Sequence, residues 1–226
     1  MSDKIEDVYI ILPIYNEDEV LDNVLSELRF FFKNIIAIND GSTDNSRKII
    51  EKYNDIVLID HPINAGQGLA ISTGIKYVQL YSKAKAIITF DADGQHSSKD
   101  ARDFAIEILK CEEEVIFGSR FIDKVNNVPL IKKIVLNLIA KISNFILGMK
   151  LTDAHNGMKA LKTSCLNKIN FEISGFGFES ELVSIIAKNK IKYKELKTHT
   201  LYTAYSIKKG QKLLNGLRII EDLLMR

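Results

Sequence analysis

Residues 86–96 read AIITFDADGQH: an apolar run closing on Thr89 and Phe90 stands directly before two carboxylates, Asp91 and Asp93, spaced one residue apart. Such a run reads as a buried strand, and the question it raises is why it should end in acid. Runs of the same character occur at VYIIL (8–12), IIAI (35–38), IVLI (56–59) and VIFG (115–118), with helix-length segments near 17–32, 43–53, 67–82 and 97–110 between them. Near-continuous β-rich runs separated by helices signal parallel strands covered on both faces. The expected fold class is therefore α/β, a mostly parallel central sheet with helices on both sides. Ser42, Thr43 and Asp44 are N-cap residue types before the second helix, and Ser97 and Ser98 before the fourth.

In an open sheet of this kind ligands collect where the strands end, because loops converge there and helix N-termini offer free N–H groups. That rule predicts one rim. It would gather Pro13, Tyr15, Asn16 and Glu17 after the first strand, and Asn39, Asp40, Gly41 and Ser42 after the second. The third strand would add His61, Asn64, Gly66 and Gly68, and the fourth Asp91, Asp93 and Gln95.

The rest of the chain sets bounds. With 226 residues, 46% apolar and 27% charged, it can bury a real core, and it reads as one domain over 1–226 whose halves divide near residue 120. A net charge of +2 carries no nucleic-acid footprint. The two cysteines, Cys111 and Cys165, lie far apart, which argues against a disulfide framework or zinc site and suits a reducing cytoplasm. The start holds only a five-residue apolar run before Pro13, so no secretion signal is expected, and no uninterrupted 18-residue apolar stretch predicts a membrane span.

After residue 120 the repeat breaks. LIKKIVLNLIAKISNFIL (130–147) places Lys133, Asn137, Lys141 and Asn144 three or four apart, a narrow polar stripe on a wide apolar helix. That apolar face should pack on the sheet or lie in a lipid headgroup layer. A loop DAHNG (153–157), a GFGF segment (175–178), a helix near 179–189 and a Lys-rich stretch to 212 follow. Lys192 and Lys194 alternate as the solvated face of a strand, whereas SIKKGQK (206–212) suits an anionic partner or membrane surface, a peripheral contact at most.

Two carboxylates at alternate positions past a strand end can turn toward one point, and oxygen ligands suit hard cations such as Mg²⁺ or Mn²⁺, with Gln95 as a further oxygen donor. Alone, Asp-x-Asp would more often form a turn or cap a helix. Here the two like charges, with Asp40 expected to face them, need a cation or proton between them. A cation with few protein ligands keeps places for phosphate oxygens, which points to a diphosphate guest. NAGQGLA (64–70) lacks the ending of a P-loop, and the first strand does not lead into Gly-x-Gly-x-x-Gly, so neither an ATPase nor a dinucleotide dehydrogenase fits.

In order, LPIYNE (12–17), NDGSTD (39–44), NAGQGLA (64–70), DADGQH (91–96), GSR (118–120) and NGMKA (156–160) resemble the motifs of family 2 glycosyltransferases of the GT-A fold. The branch they resemble includes dolichyl-phosphate mannosyltransferases and bacterial polysaccharide enzymes. The resemblance implies a nucleotide-sugar and metal half over 1–120 and an acceptor half over 121–226. It implies that Pro13, Tyr15, Glu17 and Asp40 hold the nucleoside, Asp40 through a base N–H or ribose hydroxyl. Gly66 and Asp91 join the donor set, although Gly66 could equally serve only a tight entry into a helix. Asp91, Asp93 and Gln95 would bind the metal, and Arg120 and Lys159 would neutralise phosphate. Lys159 departs from the Arg often found at that position, trading a planar fork for a point charge.

The family inverts at the anomeric carbon, and an alcohol acceptor then needs a general base whereas an ionised phosphate does not. Glu179 and Glu181 are candidates, though either could be a helix N-terminal carboxylate favoured by the dipole. Asp153 is placed at the active rim by the resemblance, His155 could line an acceptor pocket, and His96 reads as a loop or cap residue. The implied reaction moves a sugar from a nucleoside diphosphate donor to a glycan or lipid-linked acceptor, in bacterial envelope polysaccharide synthesis, from the cytoplasmic side of the membrane. Competing readings are a polyprenyl-phosphate glycosyltransferase, a sugar-phosphate nucleotidyltransferase and a non-catalytic binding module. LPIYNEDEV lacks the Gly-rich basic loop of the second, and the intact DADGQ speaks against the third.

Overall fold

A computed structural model describes residues 4–122, 130–169 and 178–201. Residues 175–177 of the GFGF segment and the basic tail 206–212, with Lys208, Lys209 and Lys212, lie outside them. The strands are β1 (Ile5–Ile14), β2 (Phe32–Asp40), β3 (Val57–His61), β4 (Ala86–Thr89), β5 (Val115–Ser119), β6 (Lys159–Lys162) and β7 (Tyr193–Lys197). They form one sheet in the order β3-β2-β1-β4-β6-β5-β7. The β1, β2, β3 and β4 pairings are parallel, as is β5 with β7, while β6 runs antiparallel between β4 and β5.

The helices are α1 (Leu21–Phe31), α2 (Ser46–Ile50), α3 (Gln67–Tyr81), α4 (Ser98–Lys110), α5 (Leu130–Leu147), α6 (Thr163–Leu166) and α7 (Phe178–Lys188). Successive residues of a strand face opposite sides, so β1 sends Ile10 and Leu12 into a cluster with Leu28 of α1 and Phe104 of α4. Ile11 turns the other way, to Ile75 of α3 and Leu182 of α7. This two-sided burial explains why the strands read as unbroken apolar runs.

Helix starts differ from the sequence reading where the rim intervenes. The first helix begins at Leu21 instead of 17, because Asn16 turns the chain at φ 55° and Glu17 O accepts from Val20 N and Leu21 N in a tight turn. The second shrinks to Ser46–Ile50, since residues before it are tied to the end of β1. The fourth starts as expected, with Ser97 Oγ accepting from Asp100 N at 3.4 Å. The strand β6, only four residues long, was not separable from its loop by pattern.

Candidate active site

The carboxyl ends of β1 and β2 are laced together before any ligand arrives. Asn16 Oδ1 accepts from Thr43 N (2.8 Å) and Asp44 N (3.3 Å), Asn16 N donates to Ser42 Oγ (3.1 Å), and Glu17 N donates to Ser46 Oγ (2.9 Å). Pro13 sits within β1 opposite Ile38, and Tyr15, just beyond it, is 43% exposed. These bonds carry the polar residues of the first two loops to one edge.

Asp40 behaves differently from the expectation that it faces Asp91 and Asp93. Its Oδ1 accepts from His61 Nδ1 (2.7 Å) and Ala65 N (3.0 Å), and its Oδ2 from Gly66 N (2.8 Å). Two backbone donors at the entry to α3 and an imidazole outcompete a position beside two other carboxylates. Gly66 adopts φ 92°, the left-handed region that lets its N–H point back at Asp40. His61 Nε2 in turn lies 3.0 Å from Thr73 Oγ1, which fixes the ring.

After β4, Asp91 Oδ1 accepts from Gln67 Nε2 (2.8 Å), and its Oδ2 lies 3.1 Å from His96 Nε2. Asp93 accepts from Gln95 twice, from the backbone N (2.9 Å) and from Nε2 (2.6 Å). Burial pushes Asp91 toward protonation, but the His96 hydrogen bond and the charges of His96, Lys159 and Arg120 hold it below the ordinary carboxylate range. Burial, and then the Asp91 charge, push Asp93 above that range despite His96 and Gln95. The pair therefore resists double ionisation, and this donor set fits a hard cation that would relieve it. Among the described residues no three or more His, Cys, Asp or Glu side chains converge as a metal cluster, so a cation on Asp91 and Asp93 would take other ligands from its guest.

Two further groups complete this corner. Thr89 Oγ1 donates to Gly157 O (2.8 Å) and accepts from Lys159 N (3.2 Å), which presses Gly157 onto Asp91 so closely that a Cβ there would overlap the carboxylate. Beyond β7 the chain returns to the same loop, Leu201 N donating to Gln95 O (2.9 Å) and His199 Nδ1 lying 2.9 Å from Asp100 Oδ1.

The groups expected around the acceptor are largely spent on one another. Arg120 donates through Nε to Asp153 Oδ2 (2.6 Å), through Nη2 to Oδ1 (2.7 Å), and through Nη2 to His155 O (3.1 Å). Asp153, 1% exposed, is driven up by burial and more strongly down by the Arg120 charge and hydrogen bonds, so it stays ionised. Its loop is held by Glu195 Oε1, which accepts from Thr152 N (2.8 Å) and Asp153 N (3.2 Å). Lys159 is fully buried, donates to Asn156 O (2.5 Å) and contacts the Glu179 carboxylate. Burial, helped by Arg120, lowers its ammonium to about 7, while the Asp91 and Asp153 charges pull it back up. In this arrangement each cation already faces a carboxylate, so its charge toward any phosphate would be shared with that partner.

His155 Nε2 lies 3.1 Å from Ser180 Oγ, and burial lowers the ring to about 4, with the Lys159 charge adding and Asp153 opposing. Glu181 is buried in the first turn of α7. The rim thus brings together the residues read from four loops. His61, Gln67 and Gly157 were not singled out as site groups, and His96 was read as a loop residue. Each stood where the sequence pointed without being given a role: His61 at the end of the third strand, Gln67 within NAGQGLA, Gly157 within NGMKA and His96 directly after DADGQ.

The sequence profile described as Glycosyl transferase family 2 matches residues 9–169. A protein of Methanocaldococcus jannaschii described as uncharacterized is 33% identical over 98% of this chain and 92% of its own. The UDP-N-acetylglucosamine–dolichyl-phosphate N-acetylglucosaminyltransferase of Methanococcus voltae is also 33% identical, over 100% of this chain and 97% of its own. Among solved structures, glucosyl-3-phosphoglycerate synthase from Mycobacterium tuberculosis in complex with Mg²⁺ and UDP superposes with a TM-score of 0.72 at 14% identity, covering 96% of this chain and 78% of that one. The shared architecture is the GT-A fold.

Proposed function

This chain belongs to glycosyl transferase family 2, and from that premise we propose that it transfers a sugar, with inversion, from a nucleoside diphosphate sugar to a polyprenyl phosphate. The observation that carries the acceptor class is that two of the three candidate bases are committed to ion pairs. Asp153 holds Arg120 and Glu179 holds Lys159, so neither of these carboxylates stands ready to deprotonate an alcohol, and the third, Glu181, lies buried in the first turn of α7. A phosphate acceptor is already ionised and needs no such base. The full-length similarity to an enzyme named for dolichyl phosphate supports the same reading over the envelope glycan expected from sequence.

In this reading the laced ends of β1 and β2 hold the nucleoside near Pro13, Tyr15 and Glu17, and Asp40 acts mainly by fixing the 61–66 loop and the start of α3. Asp91 and Asp93 would hold Mg²⁺ or Mn²⁺, beside Gln95, and the ion would supply positive charge to the departing diphosphate. Gln67 and His96 orient Asp91 toward that place, and Gly157 leaves room for it. Arg120 and Lys159 contribute a positive potential from behind their carboxylates rather than a direct clamp. No helix among the described residues is long and apolar enough to cross a membrane.

Incubation with radiolabelled UDP-N-acetylglucosamine, Mn²⁺ and a polyprenyl phosphate should give an organic-extractable labelled product that disappears in Asp93→Ala. Label recovered only in water-soluble glycan would move the acceptor assignment. Pyrophosphate release from a nucleoside triphosphate and a sugar phosphate would replace transfer with nucleotidylation.

A further inference from the structure

At 100° per residue, Ile134, Leu138, Lys141 and Phe145 of α5 fall within one arc of about 60°. That arc points away from the protein: Ile134 is 59% exposed, Leu138 52% and Phe145 91%, while Ile139, Ala140 and Ser143 on the opposite side are buried. The helix thus buries only its inner apolar side, against Val135 and Leu147 of its own length and against α7, and leaves an outer apolar stripe uncovered. Exposed contiguous apolar surface of this kind marks a contact with another phase or partner.

Charge identifies the partner. Residues 130–150 contain four lysines and no Asp or Glu, and Lys133, Lys141 and Lys150 are exposed in the structure. A second copy of the chain is a poor match, because Lys141 lies inside the stripe and self-pairing would press like charges together. An anionic lipid surface takes both features, the apolar side chains at the acyl boundary and the ammonium groups among the headgroups. The helix is also fixed to the reaction site. Asn144 clasps Leu151, donating to its carbonyl (2.8 Å) and accepting from its N (2.9 Å), and Lys150 N donates to Tyr193 Oη (2.8 Å), immediately before the loop that carries Asp153 and His155.

We propose that the outer face of α5 seats the enzyme on an anionic bilayer and sets the 151–157 loop at the lipid surface. The purpose of this seat rests on the polyprenyl-phosphate reading, but the binding itself does not require turnover. Co-sedimentation of the full chain, without donor or acceptor, is measured on vesicles of pure phosphatidylcholine and of equal parts phosphatidylcholine and phosphatidylglycerol. The protein should bind the mixed vesicles at least about tenfold more tightly than the neutral ones, with the difference lost in high salt. Leu138→Ser with Phe145→Ser should weaken binding by about tenfold or more, and Lys133→Glu with Lys141→Glu should do the same while leaving the neutral-vesicle partition unchanged.

Thermal melts of both variants with and without UDP separate lost docking from lost folding, since these exposed positions should leave the melt and its nucleotide shift intact. Equal partition of wild type and both variants, or indifference of wild type to anionic lipid, would overturn the proposal. So would a wild-type dimer in light scattering that Phe145→Ser makes monomeric, which would assign the stripe to a second copy. Vesicle binding by a protein that transfers no sugar would uphold the seat and sink the acceptor reading.

Discussion

Along β5 and the 151–157 loop, buried acid meets buried base: Asp153 lies in a two-pronged pair with Arg120, and Glu179 lies on Lys159. At the end of β4, two strands from β5 in the sheet, Asp91 and Asp93 take their hydrogen bonds from amide donors and one imidazole, and Lys159 and Arg120 act on Asp91 only through their charge. The first arrangement is electrostatically closed, with Asp153 held ionised by its partner; the second is open, with Asp93 driven above the usual range by burial and by Asp91. A protein that can neutralise buried carboxylates internally does so on one side of the rim, and in the proposed reading the other side is left to a cation from outside. That contrast separates scaffold from ligand site.

Breaking the closed side should cost the most stability. Arg120→Met strands a buried carboxylate and should destabilise by about 3–5 kcal/mol in urea unfolding, whereas Arg120→Met with Asp153→Leu should recover most of that loss. Gly157→Ala tests the open side through position alone. Its methyl group would displace the Asp91 carboxylate, and about a hundredfold loss in kcat/KM is expected without a large change in unfolding midpoint.

A smaller effect comes from His155. Its folded-state value of about 4 lies below the ordinary histidine range, so the unfolded chain takes up the proton first. The stability this confers is complete above about pH 6.5 and fades as pH falls toward 4. His155→Gln should flatten that acid limb by about 3 kcal/mol relative to wild type, read from unfolding midpoints across pH 4 to 7. The least change in stability, and the opposite sign, belongs to Asp93→Asn. With its carboxyl raised in the fold, ionised Asp93 works against folding, so the substitution should slightly stabilise the metal-free protein at pH 7 while abolishing transfer.

The parallel sheet and its rim were legible because their signals are local. Five apolar runs each end in polar residues, and strands buried on both faces cannot hide that composition. The helix over 130–147 was equally plain, and its bounds match α5. What escaped were features made by contacts distant in sequence. β6 is four residues long, and its antiparallel insertion between β4 and β5 brings Gly157 onto Asp91 with no periodicity to announce it. The turn of Asp40 toward Ala65 and Gly66 depends on where the start of α3 lies in space, which the spacing of glycines alone does not give. For the same reason the resemblance named Arg120, Lys159, Asp153 and Glu179 as site groups without showing that they pair with one another.

The most direct test is a thermal shift of chelator-treated wild type and Asp93→Asn with UDP, each with and without Mn²⁺. Wild type should gain about 2.7 kcal/mol from UDP and Mn²⁺ together at a hundredfold excess over Kd, and far less from UDP alone. Asp93→Asn should respond to UDP equally with and without the ion. A variant that keeps the full ion-dependent gain, or a wild type indifferent to the ion, would contradict the assignment of the open carboxylate pair to a cation.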